Sequence, residues 1–454
     1  MNVLNREPLK PKKTNRRKAV VGIFLIAFMA RGLFYMFFLK YDPGAFSRYG
    51  DCGNYINAAK NMLNYGVFCE VSVIPPYPGI FRTPAYPALI ALIYSLTGYS
   101  DAVVVFTQII LSSLTCVMVY LIASKYASNT AAVLMSVILA VDIVSIKSTN
   151  EIMTETLFTF VIMILVAVFT DFIEKCRKHG IVLAGILCGI GALVRPILLY
   201  FFLSVPILLA YYFKRDKRRI VTYSVLFIFT YAMFVVPWIY RNLSVGYRGF
   251  AAVQEVNIYI YKAGWIEQRL MGTPDIDYID FDGQYAKVYE ILAKRGISNT
   301  PYNRAKLYKE LGMKTLLENP LLALKYQQIY TARVFTSLGA ESVLSHIQKF
   351  LPGIIKPAVW VLVINFYKAL LWGSYFLFVI GVFSRKSWDE SRGMIFILAL
   401  FAYLAVLSGE WGAESRFRVP LMPLILVISA IGVDRILHPI IKFWNLKTKS
   451  KEIQ

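Results

Sequence analysis

Apolar runs of roughly twenty residues, each long enough to cross a bilayer core as a helix, recur along the whole chain at 19–39, 102–124, 130–148, 155–173, 219–240, 358–383, 394–408 and 419–437. Inside lipid a helix satisfies its own backbone N–H and C=O groups, so this succession predicts an all-α polytopic membrane protein. A further apolar block, Ile181–Phe213, is too long for one crossing, and basic clusters flank it on both sides (Lys175, Arg177, Lys178; Lys214 to Arg219). Equal flanks require an even number of crossings. The block therefore reads as a hairpin turning at Arg195-Pro196, which brings the count to about ten transmembrane helices.

Composition agrees. Of 454 residues, 57% are apolar and 17% charged, against about 25% charged in an average soluble domain. The formal net charge of +22 would suggest nucleic-acid binding on a soluble chain. Here the Lys and Arg residues fall in short clusters between apolar runs, so no nucleic-acid partner is implied. A cytosolic enzyme, a disordered chain and a disulfide-stapled secreted domain are excluded.

The basic start Lys10-Pro11-Lys12-Lys13-Thr14-Asn15-Arg16-Arg17-Lys18 precedes an apolar run too long for a signal peptide, so it predicts a retained first helix with a cytoplasmic N-terminus. Alternation then places 40–101, 241–357 and 409–418 outside. The loops at Lys125, 174–180, 214–219 and 384–393 and the Lys-rich C-terminus fall inside, as basic loops do in a multi-pass protein of the plasma (inner) membrane. Three regions follow: 1–240 as a transmembrane module whose first external loop is 40–101, 241–357 as an external helical subdomain, and 358–454 as C-terminal transmembrane helices with a cytoplasmic tail. Ala88–Leu96 is apolar but too short to span, so it predicts an interfacial helix. Helical periodicity marks 284–296, 303–318 and 320–338 within the external subdomain.

Candidate chemistry gathers at the predicted outer face. Asp51 opens a helical run that includes Tyr55; an Asp there caps a helix or serves as a base, and both readings stand. Asp142, Glu151 and Glu155 follow, the last two one helical turn apart. Arg82, Arg195, Arg241, Arg416 and Arg418 all map outside, where orientation bias gives no reason for them, and a planar guanidinium suits phosphate. Snorkelling to lipid headgroups is the plainer account of any one of them. Arg31, roughly 12 Å into the first span by helical rise, is expected to pair with an internal acid. Cys52 and Cys69 share the first loop, where a disulfide and two free thiols are both open. With three His in the chain and no Cys/His cluster, no metal site is expected: no cofactor is required, and a divalent metal, though possible, has no support in the sequence. The acidic run Asp275–Asp282 does not match a calcium-loop spacing and reads as a solvated turn.

Several of these stretches, taken in order, resemble a known family. Asp51 with Tyr55, Phe81-Arg82-Thr83-Pro84-Ala85-Tyr86-Pro87, Met153-Thr154-Glu155-Thr156-Leu157-Phe158, Ala192-Leu193-Val194-Arg195-Pro196, Pro237-Trp238-Ile239-Tyr240-Arg241-Asn242 and Arg416-Phe417-Arg418-Val419-Pro420 resemble the polytopic GT-C glycosyltransferases, near the protein O-mannosyltransferases and the lipid A aminoarabinose transferases. The resemblance implies a GT-C fold, Asp51 as catalytic base, Arg82 on the donor lipid phosphate, and Glu155 shaping the pocket with Glu151 and Tyr55. Arg195, Arg241, Arg416 and Arg418 join the donor-phosphate set. Many relatives carry Glu after the early acid; Cys52 stands there instead, which weakens any two-carboxylate version of the site.

The expected function is an inverting transfer, on the outer face, of a hexosyl or pentosyl group from a polyprenyl-phosphate donor held in membrane lipid to an envelope glycan, lipid or protein acceptor. An O-antigen-type polymerase or ligase, and a lipid or sugar transporter, are the alternatives.

Overall fold

The computed structural model describes residues 13–42, 51–275, 277–350, 357–384, 392–412 and 414–451. Lys10, Lys12, the Tyr49-Gly50 pair before Asp51, and most of the 384–393 loop lie outside the described residues. Among the described residues the architecture is helical, with no strand.

The helices fall on the apolar runs. Helix α1 is Lys13–Tyr41, α2 Cys52–Tyr65, α3 Ala85–Thr97, α4 Asp101–Ala123, α5 Asn129–Ala140, α6 Ile143–Thr149, α7 Glu155–Lys175 and α8 Lys178–Val194. By length and composition, five helices can cross a membrane: Asn15–Tyr41, Asp101–Ala123, Glu155–Lys175, Lys217–Ser244 and Ala358–Val382. The pair α5 and α6, bent by 55°, would make a sixth. Lys178–Val194, Pro196–Tyr212 and Gly393–Leu407 are shorter apolar helices on the remaining predicted runs, and the last helix is Met422–Lys451. The chain is a multi-pass membrane protein.

The bend has a local cause. Asp142 interrupts an otherwise apolar run and its carboxylate accepts the Ser145 N–H at 2.8 Å, so it ends α5 and caps α6. The turn expected at Arg195-Pro196 is present: Arg195 is extended (φ −140°, ψ 124°) and Pro196 opens a 3₁₀ segment, Pro196–Leu203, before Ser204–Tyr212. Proline biases the residue before it away from the helical region.

Helix α7 lies at the centre, packed on α4, α8 and Gly393–Leu407. Glycines set the closest helix approaches, as small residues do between membrane helices. A Cβ on Gly185 of α8 would meet the Thr230 hydroxyl at 2.1 Å, and one on Gly432 the Leu377 carbonyl at 2.0 Å. The basic loops gather at one end of the bundle: Lys125 reaches Glu174 at 3.9 Å, the Tyr223 hydroxyl donates to the Cys176 carbonyl and Tyr212 to that of Arg392.

At the other end stand the first loop and the extra-bundle helices Phe281–Lys294, Pro301–Glu318 and Pro320–Thr336, within a few residues of the periodicity in the sequence. Helix α3 packs Tyr86, Ile90 and Tyr94 inward and leaves Leu92 and Leu96 exposed, the two-sided character expected of an interfacial helix. The acidic run is a turn: Asp280 caps Phe281–Lys294 and Asp277 pairs with Arg333.

Candidate functional site

Five charged side chains drawn from across the sequence converge at the end of the bundle away from the basic loops. Asp51 Oδ1 lies 2.5 Å from Arg82 Nη2, and its Oδ2 is 3.9 Å from Arg416 Nη2. Arg416 Nε in turn is 2.9 Å from Glu155 Oε1, and Arg195 Nη1 reaches that same oxygen at 2.9 Å. Three guanidiniums thus surround two carboxylates, leaving one net positive charge.

Each residue is held by the end of an element. Asp51 occupies the N-cap position of α2 but makes no side-chain cap bond, so of the two readings open from sequence, capping is not what its carboxylate does. Arg82 lies between the Phe81 and Tyr55 rings, at 4.5 and 5.3 Å, and Tyr55 packs edge-on against Tyr86 at 5.2 Å. Glu155 opens α7 and is fully buried. Arg195, at the end of α8, sits over Phe417 and Phe158. Arg416 comes from the 3₁₀ turn Ser415–Arg418.

The ion pairs leave donors unspent. Arg82 Nε is buried without a hydrogen-bond partner, and the contacts of Arg195 Nη1 and Arg416 Nε to Glu155 are close in distance but not aligned as hydrogen bonds. Buried guanidinium donors in this state favour an added anion, because an unpaired buried donor costs about 1–3 kcal/mol. Asp51 and Arg416 keep about a third of their side-chain surface exposed, so the cluster opens to solvent on that side.

Other sequence candidates have different partners. Arg418 is fully buried and donates to the carbonyls of Val334, Ser337 and Leu338 and to the Tyr367 hydroxyl; it clamps the C-terminus of Pro320–Thr336 instead of pairing with Asp51 or Glu155. Arg241 donates to the Gly79 and Phe68 carbonyls at 2.5 and 3.4 Å, so it holds the first loop rather than joining the other arginines. Among the described residues Arg31 meets no acid. It donates to Ser112, to the carbonyls of Ala27, Leu139 and Ala140, and to the Cys116 sulfur, because the broken end of α5 presents its last carbonyls at that depth. Glu151 lies in the turn before α7, not on its face. It is 3.8 Å from Lys147, its carboxyl is pushed up by burial against the pull of that lysine, and its carbonyl accepts from Gln108. Asp142, besides capping, accepts the Tyr367 hydroxyl.

Cys52 and Cys69 are free and buried. Burial and the nearby Glu151 and Glu155 carboxylates push the Cys52 thiol up to about 12, which makes it a packing group rather than a nucleophile. Among the described residues no group of three His, Cys, Asp or Glu converges as a metal-ligand set.

Two carboxylates near the cluster escaped the sequence reading. Glu70, in the first loop, accepts the Arg82 backbone N–H. Glu410 is pushed up by burial, offset by Lys262 and Arg195, and accepts the Asn257 amide at 2.6 Å. Next to it Trp411 stacks on Tyr261 with centroids 5.7 Å apart, tying the loop that carries Arg416 to the helices outside the bundle. Neither acid belongs to a motif. The only signal was a lone Glu in a Pro- and Gly-rich or loop context.

Residues 81–240 match the family model for dolichyl-phosphate-mannose-protein mannosyltransferase. The chain superposes on the oligosaccharyltransferase of Archaeoglobus fulgidus with a TM-score of 0.53 at 15% identity, covering 94% of this chain and 50% of that one. The chain has the GT-C fold. The archaeal oligosaccharyltransferase AglB from Archaeoglobus fulgidus, in complex with an inhibitory peptide and a dolichol-phosphate, gives 0.50 at 14% identity over 95% of this chain and 52% of that one. ArnT from Cupriavidus metallidurans bound to undecaprenyl phosphate gives 0.41 at 13% identity, covering 93% and 79%. The chain therefore spans about half the length of the oligosaccharyltransferase it matches. No curated protein sequence matches it. The five clustered residues lie on both sides of, and within, the matched 81–240 segment.

Proposed function

We propose that the chain is an inverting glycosyltransferase that moves a sugar from a polyprenyl-phosphate donor to a hydroxyl-bearing glycan, lipid or protein acceptor at the outer face of the plasma membrane. The observation that carries this reading is the convergence of the Arg82, Arg195 and Arg416 guanidiniums on only two carboxylates, Asp51 and Glu155, with Arg82 Nε buried and unpartnered beside Asp51. A phosphate monoester or diester fits such a set through paired, charge-assisted hydrogen bonds. The AglB structure, which holds a dolichol-phosphate on the same fold, supports a lipid phosphate there.

In the reaction, Asp51 accepts the proton of the acceptor hydroxyl as its oxygen attacks the anomeric carbon. The bond from that carbon to the phosphate oxygen breaks, and the electron pair leaves with the polyprenyl phosphate. One displacement inverts the anomeric centre. The added negative charge on the departing phosphate meets Arg82 and the arginines held by Glu155, which is where preorganised donors lower a barrier most. Asp51 as base contributes about 10²–10⁴ in rate. As written, the reaction uses no cofactor. Basic loops at the far end of the bundle support cytoplasmic N- and C-termini and an outward site.

Mass spectrometry of envelope glycans and polyprenyl-phosphate sugars from cells with and without the protein tests this. The expected result is one missing sugar and an accumulated lipid donor. Identical profiles in both strains would refute the reading.

A further inference from the structure

Within the first loop the chain crosses itself: the Gly79 N–H donates to the Phe68 carbonyl at 2.6 Å. Glu70 is buried inside that crossing, only 4% exposed. One carboxylate oxygen accepts the Arg82 backbone N–H at 2.8 Å. The other lies so close to Gly79 that a Cβ there would fall 1.8 Å from it. The strand of chain bearing Glu70 is pinned from the opposite side. Asn54 and Asn57 of α2 donate to its carbonyl at 3.4 and 3.5 Å, and Asn61 donates to the carbonyls of Cys69 and Val71 at 2.8 and 3.0 Å. Arg241 closes the assembly by donating to the Gly79 and Phe68 carbonyls.

A buried carboxylate is costly unless cations and N–H groups satisfy it, and nothing in the proposed chemistry uses this one. It is spent instead on the main chain of Arg82, three residues before α3. We infer that Glu70, supported by Arg241, is a positioning residue for Arg82: it fixes the backbone from which the guanidinium reaches Asp51 and the donor phosphate. The phosphate part of this inference rests on the function proposed above. The backbone part does not.

Two measurements separate them. In full-length protein free of other thiols, Arg82→Cys should react slowly with an impermeant methanethiosulfonate while Glu70 is present. Adding Glu70→Ala should speed labelling at least about tenfold, since the segment then opens locally. An unchanged rate overturns the positioning role whatever the lipid does. The second measurement is binding of undecaprenyl phosphate to protein in nanodiscs. Glu70→Ala should weaken it at least about tenfold and Glu70→Gln less than about threefold, because the amide oxygen still accepts the Arg82 N–H. Equal loss in both variants, or wild-type affinity in Glu70→Ala, overturns the inference. Absence of any binding by the wild-type protein, with labelling accelerated as expected, counts against the proposed function and leaves the backbone role standing. Should Glu70→Ala not fold, Gly79→Ala takes its place in both assays. It displaces the carboxylate without removing its charge and should give the same losses.

Discussion

Asp51→Asn separates chemistry from every structural role the side chain has. The carboxylate makes one close ion pair, with Arg82, and is about a third exposed, whereas Arg82 is mostly buried; the Asn amide keeps an oxygen that can accept from that guanidinium, so the donor is not left unpaired. Asp51 makes no cap hydrogen bond, so the 0.5–2 kcal/mol that removal of a capping side chain typically costs does not apply. The thermal midpoint in detergent should therefore fall by no more than a change of about 1 kcal/mol produces, and Asp51→Ala should fall further, because the buried guanidinium then loses its close partner at a cost of about 1–3 kcal/mol. Removing the charge leaves three guanidiniums facing one carboxylate, so affinity for undecaprenyl phosphate should hold or rise. Transfer should fall at least about a hundredfold, because Asn cannot take the acceptor's proton, and that loss is about 2.7 kcal/mol of barrier. The assay is single-turnover transfer from the donor lipid that mass spectrometry identifies, beside binding and unfolding on the same preparation. Retention of more than about a tenth of the activity would refute Asp51 as the base. Parallel losses of binding and transfer would refute it too, and would make Asp51 a ligand of the donor.

Arg82→Ala should weaken undecaprenyl phosphate binding by an amount equivalent to about 1.5–3 kcal/mol, whereas Arg418→Ala should lower the unfolding temperature yet leave the affinity of the folded fraction unchanged; equal affinities in the two variants would contradict the assignment. In a cysteine-free background, Cys at the exposed positions Ile74 and Leu321 should label with an impermeant reagent in intact cells and Cys at exposed Lys217 should not, and the reverse pattern would turn the protein over in the membrane. Burial raises the folded-state pKa of Glu410 despite Lys262 and Arg195. An acid shifted this way contributes nothing below its unfolded value, about 4.3, and destabilises as pH rises through the folded one. Glu410→Gln should accordingly match the wild-type midpoint near pH 4 and exceed it near pH 7.5 in thermal unfolding, and a lower midpoint at the higher pH would show that the charge is net favourable there.

Hydropathy alone located the bundle helices, and periodicity located Phe281–Lys294, Pro301–Glu318 and Pro320–Thr336, because both signals report which face of a segment meets water or lipid. The break at Asp142 was visible as an acid in an apolar run, but whether it would pair, cap or catalyse was not. The arginines show why. Position in the sequence predicts depth and side of the membrane, and the prediction is the same for Arg82, Arg195, Arg241, Arg416 and Arg418. What a guanidinium meets at that depth depends on which helix ends tertiary packing brings there. Arg418 meets three carbonyls at the end of Pro320–Thr336, Arg241 meets two in the first loop, and Arg31 meets those of α5 where an acid was expected. Glu70 was illegible for the same reason: its partner is the backbone of a residue twelve positions away.

The clustered charges share a property that bears on how such a site can exist at the edge of a membrane. Glu155 is the first residue of α7, where the positive end of the helix dipole favours an anion, and Arg195 follows the last residue of α8, where the negative end favours a cation. Each charge is thus stabilised by its own helix as well as by its partner at 2.9 Å. Asp51, Arg82 and Arg416 stand on turns between elements, where backbone is already solvated or capped and a charge displaces no helix-to-helix packing. A site built in mid-helix would have to break that packing to admit a phosphate. Built on ends, it needs only to exchange one anion for another around Arg82, and Asp51, the carboxylate displaced in that exchange, is the group proposed to take the acceptor's proton.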